Sequence, residues 1–177
     1  MIKKNYIPTI NISSLLEKSF DTKPTLKIVK EIEKACLDVG FFQITGHGIK
    51  LKNINKICKV GENFFKLNIK NKLKLAPKKW NKKNKNVYRG YFPNYVNGKE
   101  GLDLGDLKVT KKYSKRIKNQ YIEYLNIKQS FTTNNISKLS DYYEDIFNLS
   151  EILFKSIIRV YNKDTDISKK AFSRLKT

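Results

Sequence analysis

A chain of 177 residues has the length of one domain, or of one domain with an appendage. A composition that is 40% hydrophobic and 12% aromatic is typical of globular proteins and excludes disorder throughout the chain. The 37 basic and 16 acidic residues leave a net charge of +21, which suggests a nucleic-acid partner. However, only four of the basic residues are arginine, which binds phosphates better than lysine does because its guanidinium presents two parallel donors.

The pattern of apolar residues and cysteines excludes further classes. The longest apolar run, Ile152 to Val160, is interrupted by two basic residues and is far shorter than the roughly 20 residues that span a bilayer. The first residues contain no apolar stretch as long as that of a secretory signal. Cys36 and Cys58 form neither a metal-finger spacing nor a disulfide pattern, and both are predicted to be small buried side chains. We therefore expect a cytoplasmic protein with no membrane partner.

The first predicted element is a strand at Ile7 to Ile12, where apolar and polar residues alternate and Pro8 favours an edge position. A helix follows, capped at Asp21-Thr22, with apolar residues at three- and four-residue steps from Leu26 to Val39. Gly40 is expected to end this helix as a left-handed cap.

A second strand is predicted at Phe41 to Thr45 and is closed by the tight turn Gly46-His47-Gly48. The next apolar face, from Lys52 to Leu67, predicts another helix, in which Gly61 is expected to permit a close helix contact.

The stretch from Asn63 to Lys99 contains no acidic residue and eleven basic ones, and it predicts an exposed loop that becomes ordered at Tyr88, Tyr91 and Phe92. A weak third strand is predicted at Leu107 to Thr110. The longest helix is predicted at Ser137 to Tyr161, with a last short turn from Asp166 through Phe172. The fold class is therefore α/β of the α+β type, with helices and two or three strands, too few for a stable sheet alone.

Five segments, in this order, resemble the N-terminal region of the isopenicillin N synthase-like, non-haem iron(II) and 2-oxoglutarate-dependent oxygenases. They are IPTINIS (7–13), AxxxVGFFQITGHGI (35–49), FFKL with the lysines that follow it (64–73), RGYFP (89–93) and KEGLDLG (99–105). Two positions depart from the pattern of the family, because Asn11 stands where aspartate is usual and Gly46 stands where asparagine is common.

The resemblance implies a fold in which this region packs on, and extends, a double-stranded β-helix (jelly-roll) core that is largely missing from the chain. It implies one N-terminal domain over 1–177, with the family-like region at 1–107, a variable connection at 108–136, and the pre-barrel helix with a truncated end at 137–177. The jelly-roll half would then be the partner, in cis or in trans, and a small molecule would be the substrate of the complete oxidoreductase.

In this family ferrous iron is held by a His-x-Asp pair and a second histidine, and an Arg-x-Ser pair holds 2-oxoglutarate. Two imidazoles are required, and His47 is the only histidine of this chain. We therefore predict no metal ligand and no catalytic residue here, and no cofactor for this chain alone. Iron and 2-oxoglutarate are implied for a full-length member only.

The resemblance also supplies candidate site residues. Arg89 and Tyr91 lie in a loop that faces the substrate in some family members, so Arg89 is a candidate partner for a substrate carboxylate. The alternative is that both residues only anchor the loop to the body of the domain. A structural role is predicted for the signature segment that follows the first helix, in which His47 is expected to bond locally and to fix the turn after the second strand; the signature residues are Gly40, Phe41, Phe42, His47 and Gly48.

Two other interpretations start from charge. Eleven positive charges beside Trp80 and several tyrosines are also typical of a stand-alone module that binds nucleic acid or another polyanion, although the even spread of lysines favours a solvated surface. Glu100, Asp103 and Asp106 have a spacing that could hold a hard cation, but acidic residues in a glycine-rich turn are more ordinary.

Overall fold

The computed structural model describes residues 7–17, 22–94, 98–105, 107 and 127–161. Their contacts form two compact units, one from the residues up to 49 and from 146 onward, the other from 50–145. Whether the chain acts as a single domain with boundaries near 107 and 136 stays a prediction. In chain order the elements are β1 (Thr9–Asn11), α1 (Lys23–Asp38), β2 (Gln43–Thr45), α2 (Leu51–Phe65), α3 (Ile69–Lys72), β3 (Gly90–Phe92), β4 (Gly101–Asp103) and α4 (Thr133–Tyr161).

The first unit is a parallel β–α–β crossover. The register of β1 and β2 pairs Thr9 with Gln43 and Asn11 with Thr45, and both strands and the connecting helix were predicted. Helix α1 begins where the side chain of Thr22 accepts a hydrogen bond from the Thr25 N–H, with proline in its first turn.

The core of the first unit lies between this crossover and the second half of α4. Its buried residues alternate along β1 and recur at helical spacing along α1, which are the two periodicities that the sequence shows. They are Ile10, Ile12, Leu15, Ile28, Val29, Ile32 and Ala35, and the side chains from α4 that pack against them are Leu149, Ile152, Leu153 and Ile157.

The second unit is built around Phe64 of α2. Its ring stacks on Phe131 at 5.2 Å between centroids and meets Tyr91 edge-on at 5.9 Å. The antiparallel pair β3–β4, α3 and the first half of α4 surround this centre; the other buried residues are Val60, Leu75, Ala76 and Ile127.

Helix α4 starts earlier than predicted, at Thr133 rather than Ser137. The side chain of Thr132 accepts a hydrogen bond from the Asn135 N–H, so a cap that the apolar periodicity does not reveal adds a turn of polar residues. Leu107 lies in a turn, while the remainder of the predicted third strand and the turn at Asp166 to Phe172 lie outside the described residues.

Two predictions about α2 are wrong. A β-carbon at Gly61 would meet nothing within 4 Å in the described part of the protein, so this glycine serves no close helix contact there. Cys58 is exposed rather than buried, because Val60 and Phe64 define the inward face of α2 and position 58 lies outside that stripe.

Candidate functional site

The hairpin β3–β4 joins the two loop motifs of the sequence. Its register pairs Gly90 with Asp103, Tyr91 with Leu102 and Phe92 with Gly101. The RGY segment and the KEGLD segment are therefore the two strands of one structure. The sequence did not predict this hairpin, because the glycines in both segments indicate turns and loops.

A network of three side chains centred on Glu100 fixes the hairpin to α3. One oxygen of Glu100, Oε2, accepts hydrogen bonds from the Lys72 ammonium at 2.6 Å and from the Tyr91 hydroxyl at 2.7 Å. The same ammonium donates to the Phe65 carbonyl at 3.2 Å and lies 5.3 Å from the centre of the Tyr91 ring. A charge-assisted bond and a cation–π contact thus hold together residues that lie far apart in the sequence.

These bonds stabilise the ionised form of Glu100. The hydrogen bond from Lys72, followed by the one from Tyr91, lowers the pKa of the carboxyl below its ordinary value of 4.5, against a smaller opposing effect of burial. Glu100 is therefore an anion at neutral pH, with one oxygen committed to two donors. This arrangement favours the turn-forming interpretation of the acidic trio over a cation site; Asp106 lies outside the described residues.

Tyr91 is 1% exposed, and its ring packs in the core of the second unit. A side chain in this position contributes to anchoring the loop, which is the alternative role that the sequence left open. Its contact with a substrate stays a prediction.

Arg89 differs from Tyr91, because it is exposed at the entry to β3. Its carbonyl accepts a 2.6 Å hydrogen bond from the side chain of Asn86, which is buried. Its guanidinium lies against the backbone of Gly105. Among the residues that the structure describes, no carboxylate bonds to this guanidinium, so the fork can accept an anion from outside.

Asparagine side chains order the basic loop before Arg89. Asn84 donates to the carbonyls of Lys74 and Ala76, at 2.9 and 2.6 Å, and Asn81 donates to the Leu73 carbonyl at 3.0 Å. These bonds replace the backbone ladder that a regular element would supply. Sequence reasoning missed them, although the frequency of asparagine in the loop is a signal of side-chain-stabilised turns.

The predicted turn after β2 has the expected backbone. Gly46 and Gly48 have φ of 67° and 75°, and the Ile49 N–H donates to Nδ1 of His47 at 3.2 Å, so the histidine bonds locally as predicted. A β-carbon at Gly46 would also collide with the side chain of Asn11. At the start of the segment Gly40 has φ of 82°, which confirms the left-handed helix cap.

The donor set of the described residues does not fit a ferrous iron site. No group of three or more histidine, cysteine, aspartate or glutamate side chains lies close enough together in that part of the chain to hold a metal ion. His47 is the single histidine of the whole sequence, and its Nδ1 already accepts a backbone hydrogen bond. No step of iron chemistry is therefore assigned to these residues.

The aromatic residue expected to stack on nucleic-acid bases lies partly inside the second unit. Trp80 is half-buried, packs edge-on against Phe92 at 5.6 Å and carries the Lys79 ammonium 4.9 Å from its ring centre. Such a ring contributes to the core rather than forming an open stacking platform. Binding of nucleic acid stays a prediction. Within the described ranges, no helix combines the length and the apolar character that crossing a bilayer requires.

Comparison with known proteins gives a consistent result. The family model of the N-terminal region of the non-haem dioxygenases of morphine synthesis matches residues 7–148. The 2-oxoglutarate-dependent dioxygenase tropC of Talaromyces stipitatus is 33% identical over 102 residues, which are 58% of this chain and 30% of that protein. A homoarginine-6-hydroxylase of Arabidopsis thaliana is 36% identical over 109 residues, 56% of this chain and 29% of that protein.

Solved structures show the same fold. The Arabidopsis thaliana dioxygenase for auxin oxidation, in complex with 2-oxoglutarate, superposes with a TM-score of 0.61 at 19% identity, over 89% of this chain and 51% of that one. The rice dioxygenase for auxin oxidation gives 0.58 at 16% identity, over 86% and 44%. The match therefore spans about half of the solved structures and less than a third of the two curated relatives. The family model covers most of the length of this chain, so the chain belongs to the family of non-haem dioxygenase N-terminal domains.

Proposed function

We propose that this chain forms the N-terminal part of an iron(II)- and 2-oxoglutarate-dependent dioxygenase, where it supports the jelly-roll half and frames the entrance for a small substrate. The single observation that carries the role at the entrance is the exposed Arg89, held at the start of a hairpin that Glu100 fixes to α3. A hairpin that holds an exposed guanidinium in place is suited to recognition as well as to support.

Iron and 2-oxoglutarate would be bound by the jelly-roll half, whether that half follows in the same polypeptide or comes from another. When bound, they supply the oxidising chemistry of the complete enzyme. The relatives named above are called 2-oxoglutarate-dependent dioxygenase and hydroxylase, which supports such chemistry for the complete enzyme. The contribution of this chain is to bind and orient the substrate, since the residues that the structure describes do not fit an iron site.

Arg89 would pair with a carboxylate of the substrate. A guanidinium presents two parallel N–H donors that match the two oxygens of a carboxylate, and this geometry gives orientation as well as affinity. Tyr91 and Glu100 would hold the strand that follows Arg89.

The first test is the coding sequence that follows Thr177 or lies beside it. We expect a His-x-Asp pair, then a second histidine and an Arg-x-Ser pair, in an order that completes the jelly-roll half. A neighbourhood that encodes no such motifs would contradict the assignment to a dioxygenase.

The second test is made on the complete assembly, with this chain and its jelly-roll half together. Arg89→Ala is expected to raise KM for a carboxylate-bearing substrate roughly tenfold or more, because a charge-assisted contact contributes about 1.5–3 kcal/mol. Arg89→Lys should retain part of the affinity. The matched control is Lys85→Ala, which removes an exposed cation from the same loop. An unchanged KM in Arg89→Ala would assign Arg89 to anchoring only.

A further inference from the structure

Gly105 lies where the backbone itself does not demand glycine. The glycines with positive φ in the described residues are Gly40, Gly46, Gly48, Gly90 and Gly98, and Gly105 is not among them. Alanine would therefore suit the backbone conformation at 105. What a side chain at this position would change is therefore decided by its surroundings.

The nearest group to the missing side chain of Gly105 is the guanidinium of Arg89. A β-carbon at 105 would lie 2.5 Å from Arg89 Cζ and 3.2 Å from Nε, and it would overlap Nη1. All three contacts are to the end of one side chain. At Gly101, in strand β4 of the same hairpin, a β-carbon would meet nothing within 4 Å. The close approach is thus specific to the position that faces Arg89.

Arg89 is held at both of its ends. Its carbonyl accepts the hydrogen bond from Asn86, and its guanidinium packs against the backbone at Gly105. The residue nevertheless stays exposed. A guanidinium that is ordered before its ligand arrives loses less rotamer freedom on binding, which is the general basis of preorganisation.

We propose that Gly105 is a positioning residue that seats the Arg89 guanidinium in the orientation in which it binds a carboxylate. This inference rests on the proposed function for the carboxylate and adds the residue that sets the geometry of recognition. It also links the RGY and KEGLDLG segments, since Gly105 at the end of KEGLDLG leaves room for the side chain of Arg89 in RGY.

The experiment compares Gly105→Ala with Gly101→Ala in the 177-residue chain. The chain has four arginines, so the Nε–Hε signal of Arg89 in a ¹⁵N-labelled sample is assigned by its loss in Arg89→Lys. We expect that signal to show a rigid side chain in the parent and in Gly101→Ala, and a mobile one in Gly105→Ala. A titration with succinate should shift the parent signal, with affinity reduced roughly three- to tenfold in Gly105→Ala.

The outcomes separate the two proposals. An Arg89 signal that is equally rigid in Gly105→Ala would overturn the role of Gly105, while the role of Arg89 in substrate binding could stand. A signal that loosens in Gly105→Ala but ignores succinate in the parent would leave Gly105 as the seat and contradict carboxylate binding. Should Gly105→Ala unfold, the double variant Arg89→Ala/Gly105→Ala removes the overlap; recovery of the fold supports the contact, and no recovery contradicts it.

Discussion

Lys72 is the only charged side chain that is buried within the described part of the chain. Removing an ammonium from water is costly unless a counter-charge and further acceptors replace the lost hydration. Glu100 supplies the charge, and the Phe65 carbonyl supplies a second acceptor. In a protein with a net charge of +21, this carboxylate also sits in a field that favours its ionised form.

Replacing Glu100 by glutamine tests this pair. The amide keeps an acceptor for the Tyr91 hydroxyl but leaves the Lys72 ammonium without a counter-charge. We therefore expect a loss of about 1–2 kcal/mol in the free energy of unfolding. This loss is smaller than that for a fully buried pair, because Glu100 is partly exposed to water. Urea unfolding monitored by the fluorescence of Trp80, the only tryptophan, measures it.

The matched control is Glu62→Gln. Glu62 pairs with Lys59 at 3.2 Å, but both side chains are more than half exposed, so the free energy of unfolding should change by less than about 0.5 kcal/mol. Equal effects of the two substitutions would show that burial of Lys72 contributes nothing.

The lowered pKa of Glu100 predicts a dependence on pH. A carboxyl whose pKa is lower in the folded than in the unfolded protein binds fewer protons when folded, so its stabilising effect is present above the ordinary value of 4.5 and is lost as pH falls through the lower folded value. The difference in urea midpoint between the parent and Glu100→Gln should therefore shrink as pH is lowered from 7 to below 4.5. A difference that stays constant over this range would contradict the assigned cause.

The loop from Lys78 to Arg89 shows how an element without regular structure is held. Asn86 is 2% exposed, and its side-chain amide donates a hydrogen bond to the Arg89 carbonyl. Its backbone carbonyl accepts a hydrogen bond from the Lys78 N–H at 2.7 Å. Buried polar groups in such a loop must be paired, because water cannot reach them. One asparagine thus closes the loop onto the hairpin.

Asn86→Ala should therefore destabilise the protein although it alters no apolar contact of the core. The Arg89 carbonyl loses its donor, and we expect a loss of about 1–3 kcal/mol in the free energy of unfolding. Asn63→Ala is the control, because Asn63 is an exposed residue of α2 where alanine is a good helix former. The same urea unfolding curves give the result, and a loss no larger in Asn86→Ala than in Asn63→Ala would contradict the closing role.

Periodicity predicted α1, α2, most of α4 and strand β1, because in each of these a buried face repeats along the sequence, whereas β2 was predicted from a short run of β-favouring residues. The hairpin β3–β4 was missed, since the glycines of both segments indicate loops and since the bonds of Glu100 to Lys72 and Tyr91 join three separate segments of the sequence. Candidate residues could be chosen from the motifs. The environments of these residues could not be predicted, because Lys72 and Gly105 acquire their roles only through contacts with residues that are distant in sequence.

Large apolar side chains remain uncovered in each of the two units. In the first unit Phe41 is 72% exposed and Leu37 is 68% exposed, and in the second Leu51 is 68% exposed. Single exposed apolar residues are normal in globular proteins, and uncovered apolar side chains of this size favour association with another polypeptide, such as the jelly-roll half proposed above. The high positive charge opposes association of like chains through this surface, and salt weakens that repulsion.

We therefore expect the purified 177-residue chain to bind a hydrophobic dye and to self-associate, more strongly as salt is raised above about 0.15 M, where the screening length falls to roughly 8 Å. Phe41→Ser with Leu37→Ser should lower dye binding and association without lowering the urea midpoint, because neither side chain contributes to a core. The control pair is Ile10→Ser with Ile32→Ser, two core residues whose replacement should unfold the first unit. A dye-negative monomer with one sharp thermal transition at high salt would show that this apolar surface needs no cover.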